Sequence, residues 1–463
     1  MNDQLLVRLY NVGLGDCIYL RVPDGAEQAR HILIDCGNKC ASSELLTAAI
    51  EDLKEQLQPN GGRLDLLVAT HGHEDHIRGF DKQRFAGIRI DRIWLSVAMD
   101  PDHPQAEKAR ELQKLNQKAL AGLREPRSGV VSELAASLLS LSKGEGLNAL
   151  REDLPAANSI KPLYVHAGTA EEDLRLFTDK DARLLVLAPM ADVDGFYLGE
   201  EFDALDDYLG FCEVHDRPAE RTAPEEERAI PQNISDVDFE RLKERLRSNA
   251  LAFVLEEGYL VNNTSVVLLL EWKGRRLLFT GDVEFKTAFE GKYRKGKSNG
   301  SWNVMWEKQK EHFRQLLDFL KVGYHGSENA TPWTAIKLSD GQGASRSQRP
   351  HPINDILDAL LLVPVEGKSP SARAVVSTER SGYPTIPSPA LMEELGKRVG
   401  NHNKYEEPRE SGHFVAADVP QPQRTDLEWQ VAGASARKWV DVTFKPGTRS
   451  GARKQRSRIS RRQ

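Results

Sequence analysis

Thr70-His71-Gly72-His73-Glu74-Asp75-His76 follows directly on the apolar run Leu64-Asp65-Leu66-Leu67-Val68-Ala69. A short apolar run of this kind reads as a buried strand, so the polar segment stands at a strand's mouth. It gathers three of the chain's 12 histidines with two carboxylates. Imidazole nitrogen and carboxylate oxygen are ligands for zinc, and carboxylates also suit manganese or iron. A turn leaving a strand aims alternate side chains at two adjacent points. His71 and His73 then share one ion, and Asp75 and His76 face another.

Four further stretches stand in order around this loop. They are Asn11-Val12-Gly13-Leu14-Gly15-Asp16-Cys17-Ile18, Ile32-Leu33-Ile34-Asp35-Cys36-Gly37, Leu277-Leu278-Phe279-Thr280-Gly281-Asp282 and Lys321-Val322-Gly323-Tyr324-His325-Gly326-Ser327. Together with His-x-His-x-Asp-His they resemble the motifs of the metallo-β-lactamase fold superfamily, a group of mostly metal-dependent hydrolases. The branch they resemble is that of the hydrolase domain of the competence (DNA-uptake) protein. The motifs span roughly residues 7 to 385. The resemblance implies an α/β fold, the four-layer αββα sandwich, here with helical and acidic insertions. It implies that Asp282 bridges two ions, with His71 and His73 on the first and Asp75, His76 and His325 on the second. Asp35 would orient a ligand imidazole, and Ser327 would give support. Zn2+ at two sites is the expected cofactor, with Mn2+ as the alternative. Asp75, Asp282 and His325 are the expected catalytic residues.

Three departures bear on chemistry. Where many superfamily members place a further ligand His, this chain reads Leu260-Val261-Asn262-Asn263-Thr264. Asn262 or Asn263 would complete the shell by a carbonyl oxygen, or point an amide donor at substrate oxygens. Tyr324 replaces the first imidazole of a His-His pair, and Gly382-Tyr383-Pro384 stands where the branch reads Gly-His-Pro. A phenol does not replace imidazole as a general acid near neutral pH without a large pKa shift. His166 is a remote candidate for the missing ligand, while His103, His215, His351 and His413 sit in polar segments and are expected at the surface.

The chain has 463 residues, 40% hydrophobic, with a formal charge of −6, and its mean hydropathy is −0.51. No apolar run reaches the ~20 residues of a spanning helix. Met1-Asn2-Asp3-Gln4 does not begin a signal peptide. A cytoplasmic protein with no membrane partner is expected. Cys17, Cys36, Cys40 and Cys212 have no Cys-x-x-Cys spacing, and read as buried free thiols. The net charge conceals asymmetry: residues 200 to 240 hold 14 acids against three arginines, and residues 449 to 463 hold seven cations and no acid. Such a tail is expected to be disordered and to tether a polyanion. Gly291 to Gly300 is a basic, glycine-rich loop that follows no strand suited to a P-loop; it is expected to be mobile beside the metal site and to contact an anionic substrate.

The organisation expected is a hydrolase domain over 1–447, with insertions at about 101–160, 192–250 and 286–312, and a basic tail over 448–463. Strands are expected within 5–37, and at 64–69, 88–95, 183–188, 265–272 and 277–280, with Gly274-Arg275-Arg276 as the turn before the last. Val375–Ser377 and Trp439–Phe444 are expected to close the sheet. Helices are expected over 42–57, 106–123, 130–141 and 305–320.

Two adjacent metals clamp the attacking and leaving oxygens of a phosphodiester. The expected function is therefore a nuclease or phosphodiesterase acting on nucleic acid through a metal-activated water, with a defence-system effector as one setting. Hydrolysis of a small ester, lactone or cyclic nucleotide is the second reading. A weakly metal-binding module whose acidic or helical insertions dock a protein is the third.

Overall fold

Alternation along the first strand sets the layers. Leu5, Val7 and Leu9 enter the large apolar cluster shared with a second sheet, while Leu6 and Tyr10 enter a separate cluster under a helix. Opposite-facing neighbours are what a strand imposes. The structure, a computed structural model, describes residues 3–25, 28–39, 43–122, 145–199, 258–338, 349–365, 371–378, 386–399 and 439–447, with side chains from 115 to 122 left aside. The acidic stretch 200–240, the basic tail, the expected helix over 130–141, Gly382-Tyr383-Pro384, Cys40, Cys212, His215 and His413 lie outside the described residues.

The strands of the two large sheets are β1 (Leu5–Tyr10), β2 (Cys17–Pro23), β3 (Ala29–Cys36), β4 (Leu66–Ala69), β5 (Ile93–Ser96), β6 (Leu163–Val165), β7 (Ala182–Ala188), β8 (Val267–Trp272), β9 (Arg275–Phe279), β10 (Phe319–Val322), β11 (Arg373–Val376) and β12 (Trp439–Phe444). Seven form one sheet in the order β12-β1-β2-β3-β4-β5-β6, and five form the other in the order β11-β10-β9-β8-β7. In each sheet an antiparallel part passes into a parallel part: β3-β4-β5-β6 in the first and β9-β10-β11 in the second.

Helix α1 (Ser43–Leu57) lays Leu46, Ala49, Ile50, Leu53 and Leu57 against Tyr19, Leu33, Leu67 and Leu95. The short α2 (Glu74–Ile77) lies in the histidine loop, and α3 is Glu107–Gly122. The second sheet is covered by α4 (Ser301–Lys308), α5 (Asn354–Leu360) and α6 (Pro389–Gly396), through Trp302, Met305, Ile356, Leu357, Leu391 and Leu395. Helix, sheet, sheet and helix thus form the α/β sandwich expected. Among the described residues no helix is long and apolar enough to cross a membrane. Cys17 and Cys36 are buried free thiols facing one another across β2 and β3.

Several boundaries differ from expectation. The segment 88–95 is two strands, Arg89–Ile90 and Ile93–Ser96, because Asp91 turns aside to pair with Arg63. The β8–β9 turn is Lys273-Gly274, with φ of 44° and 79°, the two positive values of a tight hairpin. Arg275 and Arg276 already belong to the strand, where Asp318 and Glu271 hold them. The helix expected over 305–320 spans only 301–308, and Phe319 to Val322 is a strand wedged between β9 and β11. Parallel pairing of fully buried residues overrides local helical preference there. Residues 373–376 and 439–444 edge different sheets: β12 pairs with β1, Leu5 opposite Phe444.

Candidate metal centre

Both halves present their loops at the same edge. Asp35 lies near the end of β3, and Thr70 to His76 follow β4. Asp282 follows β9, and His325 follows β10. The carboxyl ends of parallel strands are where such sheets hold ligands. One ligand atom from each of Asp75, His76, Asp282 and His325 lies within 4.8 Å of the others, and all four residues are buried. His76 Nε2 stands 3.1 Å from Asp282 Oδ2, and His325 Nε2 stands 3.2 Å from Asp75 Oδ2. His71 and His73 form an adjoining pair, with Nε2 and Nδ1 at 3.1 Å, and the His71 ring centroid is 4.1 Å from that of His76.

The backbone beneath is close-packed. Asp35 has φ of 56°; its Oδ1 accepts from Thr70 N at 2.7 Å and its Oδ2 from Thr70 Oγ1 at 2.7 Å. His76 Nδ1 lies 2.8 Å from the same Oδ2, so the carboxylate fixes the His76 ring. His325 Nδ1 is likewise held by Ser377 O at 2.9 Å. Gly37 is required by space: a Cβ there would stand 2.4 Å from Glu74 O and His76 N.

Proton occupancy follows from burial against charge. Burial pushes His71 well below its ordinary value, and pushes His73 down to about 4. Both are neutral at pH 7, the form a cation binds. Burial also opposes protonation of His76, yet Asp282 and Asp35 outweigh it and hold its pKa well up. At His325 burial is again the largest single effect, but the Asp75 hydrogen bond and the charges of Asp282, Asp75 and Asp16 together outweigh it and raise the pKa. Asp75 and Asp282 stay below the usual carboxylate range, since the histidines overcome burial. Asp75 Oδ1 is buried with no hydrogen-bond partner, and His76 Nε2 and Asp282 Oδ2 face each other at 3.1 Å. An unpaired buried acceptor costs about 1–3 kcal/mol, which a bound cation would offset. Two imidazoles and two carboxylates, one with an orphaned oxygen, fit a divalent metal.

The asparagines separate in role. Asn263 Oδ1 accepts from Glu284 N at 3.1 Å and Ser301 N at 2.6 Å, and its amide donates to Tyr259 O; it braces backbone. Asn262 donates to Glu284 Oε1 at 2.8 Å and keeps a buried Oδ1 with no hydrogen-bond partner. Tyr324, at φ 43°, donates its backbone N–H to Asp282 Oδ1 at 2.9 Å. Burial pushes its phenol well up, so it is a protonated donor near pH 7. Ser327 Oγ turns to Asn329 Oδ1.

Among the described residues, no ligating group of three or more includes His71, His73 or His166, and His166 Nδ1 faces its neighbour's carbonyl, Ala167 O. His103 reaches Ala191 O and is half-buried. His351 is buried and not at the surface as expected; its Nδ1 accepts from Ile353 N and its Nε2 faces Thr287 O. Hydrogen bonds from one residue tie the Gly291–Gly300 loop together. Buried Asn299 donates to Phe196 O, Arg294 O and Lys297 O and accepts from Arg294 N. Lys292, Arg294, Lys295 and Lys297 remain exposed. Asp16 and Lys321 lie inside two of the sequence motifs, where neither is expected to have a role. They form a buried ion pair of 2.7 Å, for which a lysine in a strand of apolar residues is the only sequence signal.

Residues 10–96 match the Metallo-beta-lactamase superfamily. No curated protein matches the sequence. Among solved structures, the metallo-beta-lactamase fold protein YhfI from Bacillus subtilis is similar over 69% of this chain and 70% of that one, at 9% identity and a TM-score of 0.24.

Proposed function

With the metallo-β-lactamase fold as premise, we propose that this chain is a metal-dependent hydrolase of phosphodiesters, acting on nucleic acid. The observation that carries the reading is the buried cluster of Asp75, His76, Asp282 and His325, with Asp75 Oδ1 unpartnered in it. In this reading those four hold one divalent ion, Zn2+ or Mn2+, and His71, His73 and Asp282 hold a second. Bound there, such ions supply a water deprotonated near neutral pH and clamp the oxygens of an in-line displacement.

The chain's own groups do the rest. Asp35 accepts the His76 Nδ1 proton and leaves Nε2 directed at Asp282. The Ser377 carbonyl does the same for His325. Tyr324 keeps its proton and serves as a hydrogen-bond donor to substrate, not as the general acid that an imidazole would be. The exposed cations of the 291–300 loop favour an anionic substrate, as does the tail of seven cations. The resemblance to the DNA-uptake branch favours nucleic acid over a small phosphodiester.

The test loads the full-length chain with Zn2+ or Mn2+ and offers plasmid, single-stranded DNA, RNA and a generic phosphodiester beside simple esters and lactones. Cleavage of phosphodiesters that is lost in His71→Ala and Asp75→Ala is expected. Full activity in metal-free protein, or turnover of esters alone, refutes the proposal.

A further inference from the structure

Beneath the ligands, a buried side-chain link joins the two halves of the sandwich. Asp16, immediately before β2, donates its backbone N–H to Asp75 O at 3.0 Å, and its own carbonyl accepts from Gly37 N at 3.0 Å. Its backbone is therefore tied to the loop that carries Asp75 and His76. Glycine at 15 permits this approach, since a Cβ there would lie 2.2 Å from Gly37 O and 2.8 Å from Asp75 O.

The Asp16 side chain reaches the other way. Oδ2 accepts from Lys321 Nζ at 2.7 Å, and Nζ also donates to Val322 O at 2.9 Å. Lys321 lies in β10 of the second sheet, four residues before His325. Its carbonyl accepts from Thr280 Oγ1 at 3.1 Å, which ties it to the loop of Asp282. Both side chains of the pair are 2% exposed. The remaining oxygen, Asp16 Oδ1, is buried with no hydrogen-bond partner, and a carboxylate oxygen of Asp16 lies within 4.8 Å of ligand atoms of Asp35 and His76.

A buried ion pair adds little stability over apolar residues of the same volume, because both charges lose their hydration. Its presence under the cluster has a different rationale. It sets a fixed length between Asp75 and His76 on one half and Asp282 and His325 on the other. We propose that Asp16 and Lys321 are positioning residues, whose ion pair fixes the spacing of the two ligand-bearing halves and so sets divalent-metal affinity more than fold stability. This rests on reading the cluster as a cation site.

The test compares wild type, the double variant Asp16→Leu with Lys321→Met, and the single variant Lys321→Arg. Zn2+ and Mn2+ affinities are measured by competition with a chromophoric chelator, and metal-free stability by urea denaturation with circular dichroism. The double variant is expected to unfold near the wild-type midpoint and to bind metal at least tenfold more weakly. Lys321→Arg keeps the charge but changes its reach and shape; it is expected to fold normally and weaken binding severalfold. If the double variant does not fold, Lys321→Arg decides. Wild-type affinity in a folded variant overturns the inference while leaving the cation site standing. A wild-type chain that takes up neither metal overturns the cation site, and the inference with it.

Discussion

Asp35→Asn is the most discriminating single change, because a left-handed residue separates backbone from side-chain effects. Asn is among the few residues that tolerate φ near 56° without strain, so the fold should survive. The hydrogen bonds will not. Thr70 N can only donate, so the carboxamide oxygen must face it, which puts the NH2 where Oδ2 stood. That NH2 then confronts Thr70 Oγ1 and His76 Nδ1, which lay 2.7 Å and 2.8 Å from Oδ2. Thr70 can accept instead of donate, but His76 must move its proton to Nε2, the nitrogen aimed at Asp282. A protonated Nε2 cannot ligate. Loss of such an orienting partner weakens metal binding by ~10–100-fold, or about 1.4–2.8 kcal/mol. The metal-free protein should lose about 1–3 kcal/mol, since hydrogen bonds to a charged group go while a buried charge is also removed. Chelator competition gives the first number and urea denaturation the second. Wild-type metal affinity in Asp35→Asn would refute the tautomer argument.

Three further outcomes are expected. Zn2+ titration with elemental analysis should show two affinity classes, the tighter belonging to Asp75, His76, Asp282 and His325, since asparagine stands where a further ligand histidine would complete the site of His71 and His73; two equally tight ions count against this. Asp24 accepts from Arg30, Thr178 and Asp179, and although burial alone would raise its pKa, these hydrogen bonds lower it. A lowered folded pKa gives stability present above the unfolded value of about 3.9 and lost as pH falls through the folded value. Asp24→Ala should therefore be clearly less stable than wild type at pH 7, with the gap narrowing toward pH 3; a constant gap speaks against it. Deleting residues 449–463 should weaken nucleic-acid binding most at low salt and flatten the log–log salt slope by roughly 0.7–0.9 for each phosphate the tail had neutralised, and identical slopes would remove the tail from the interface.

The candidate ligands His71, His73, Asp75 and His76 were legible because they form a polar cluster where a strand ends, and such a cluster has no packing reason to exist. Asp35, Asp282 and His325 were named through the resemblance of their motifs. What packing decides was less legible. Phe319 to Val322 carries a lysine among apolar residues and reads as a helix end, until its pairing with β9 and β11 is known. No local pattern says which sheet a strand will edge, hence the joint assignment of β11 and β12. Asn262 and Asn263 are adjacent and chemically identical, and only their partners divide them. His351 looks like a surface residue in Pro-His-Pro, but its ring closes a buried turn.

The division of ligands between two half-sheets has a consequence for how the molecule is made. Asp75 and His325 are 250 residues apart in sequence. At ~5–20 residues per second of synthesis, the histidine loop leaves the ribosome roughly 12–50 s before its last partner. Until Asp282 emerges, His71, His73, Asp75 and His76 are the only candidate ligands on hand, and the cluster stays incomplete until His325 follows. The free flank of β1 also waits, for β12, whose register covers it from Leu5 to Tyr10. An unpaired strand flank invites association with other chains. The nascent chain thus passes through a stage in which the candidate cluster is incomplete and a strand flank is open, and both conditions end only with the arrival of its C-terminal half.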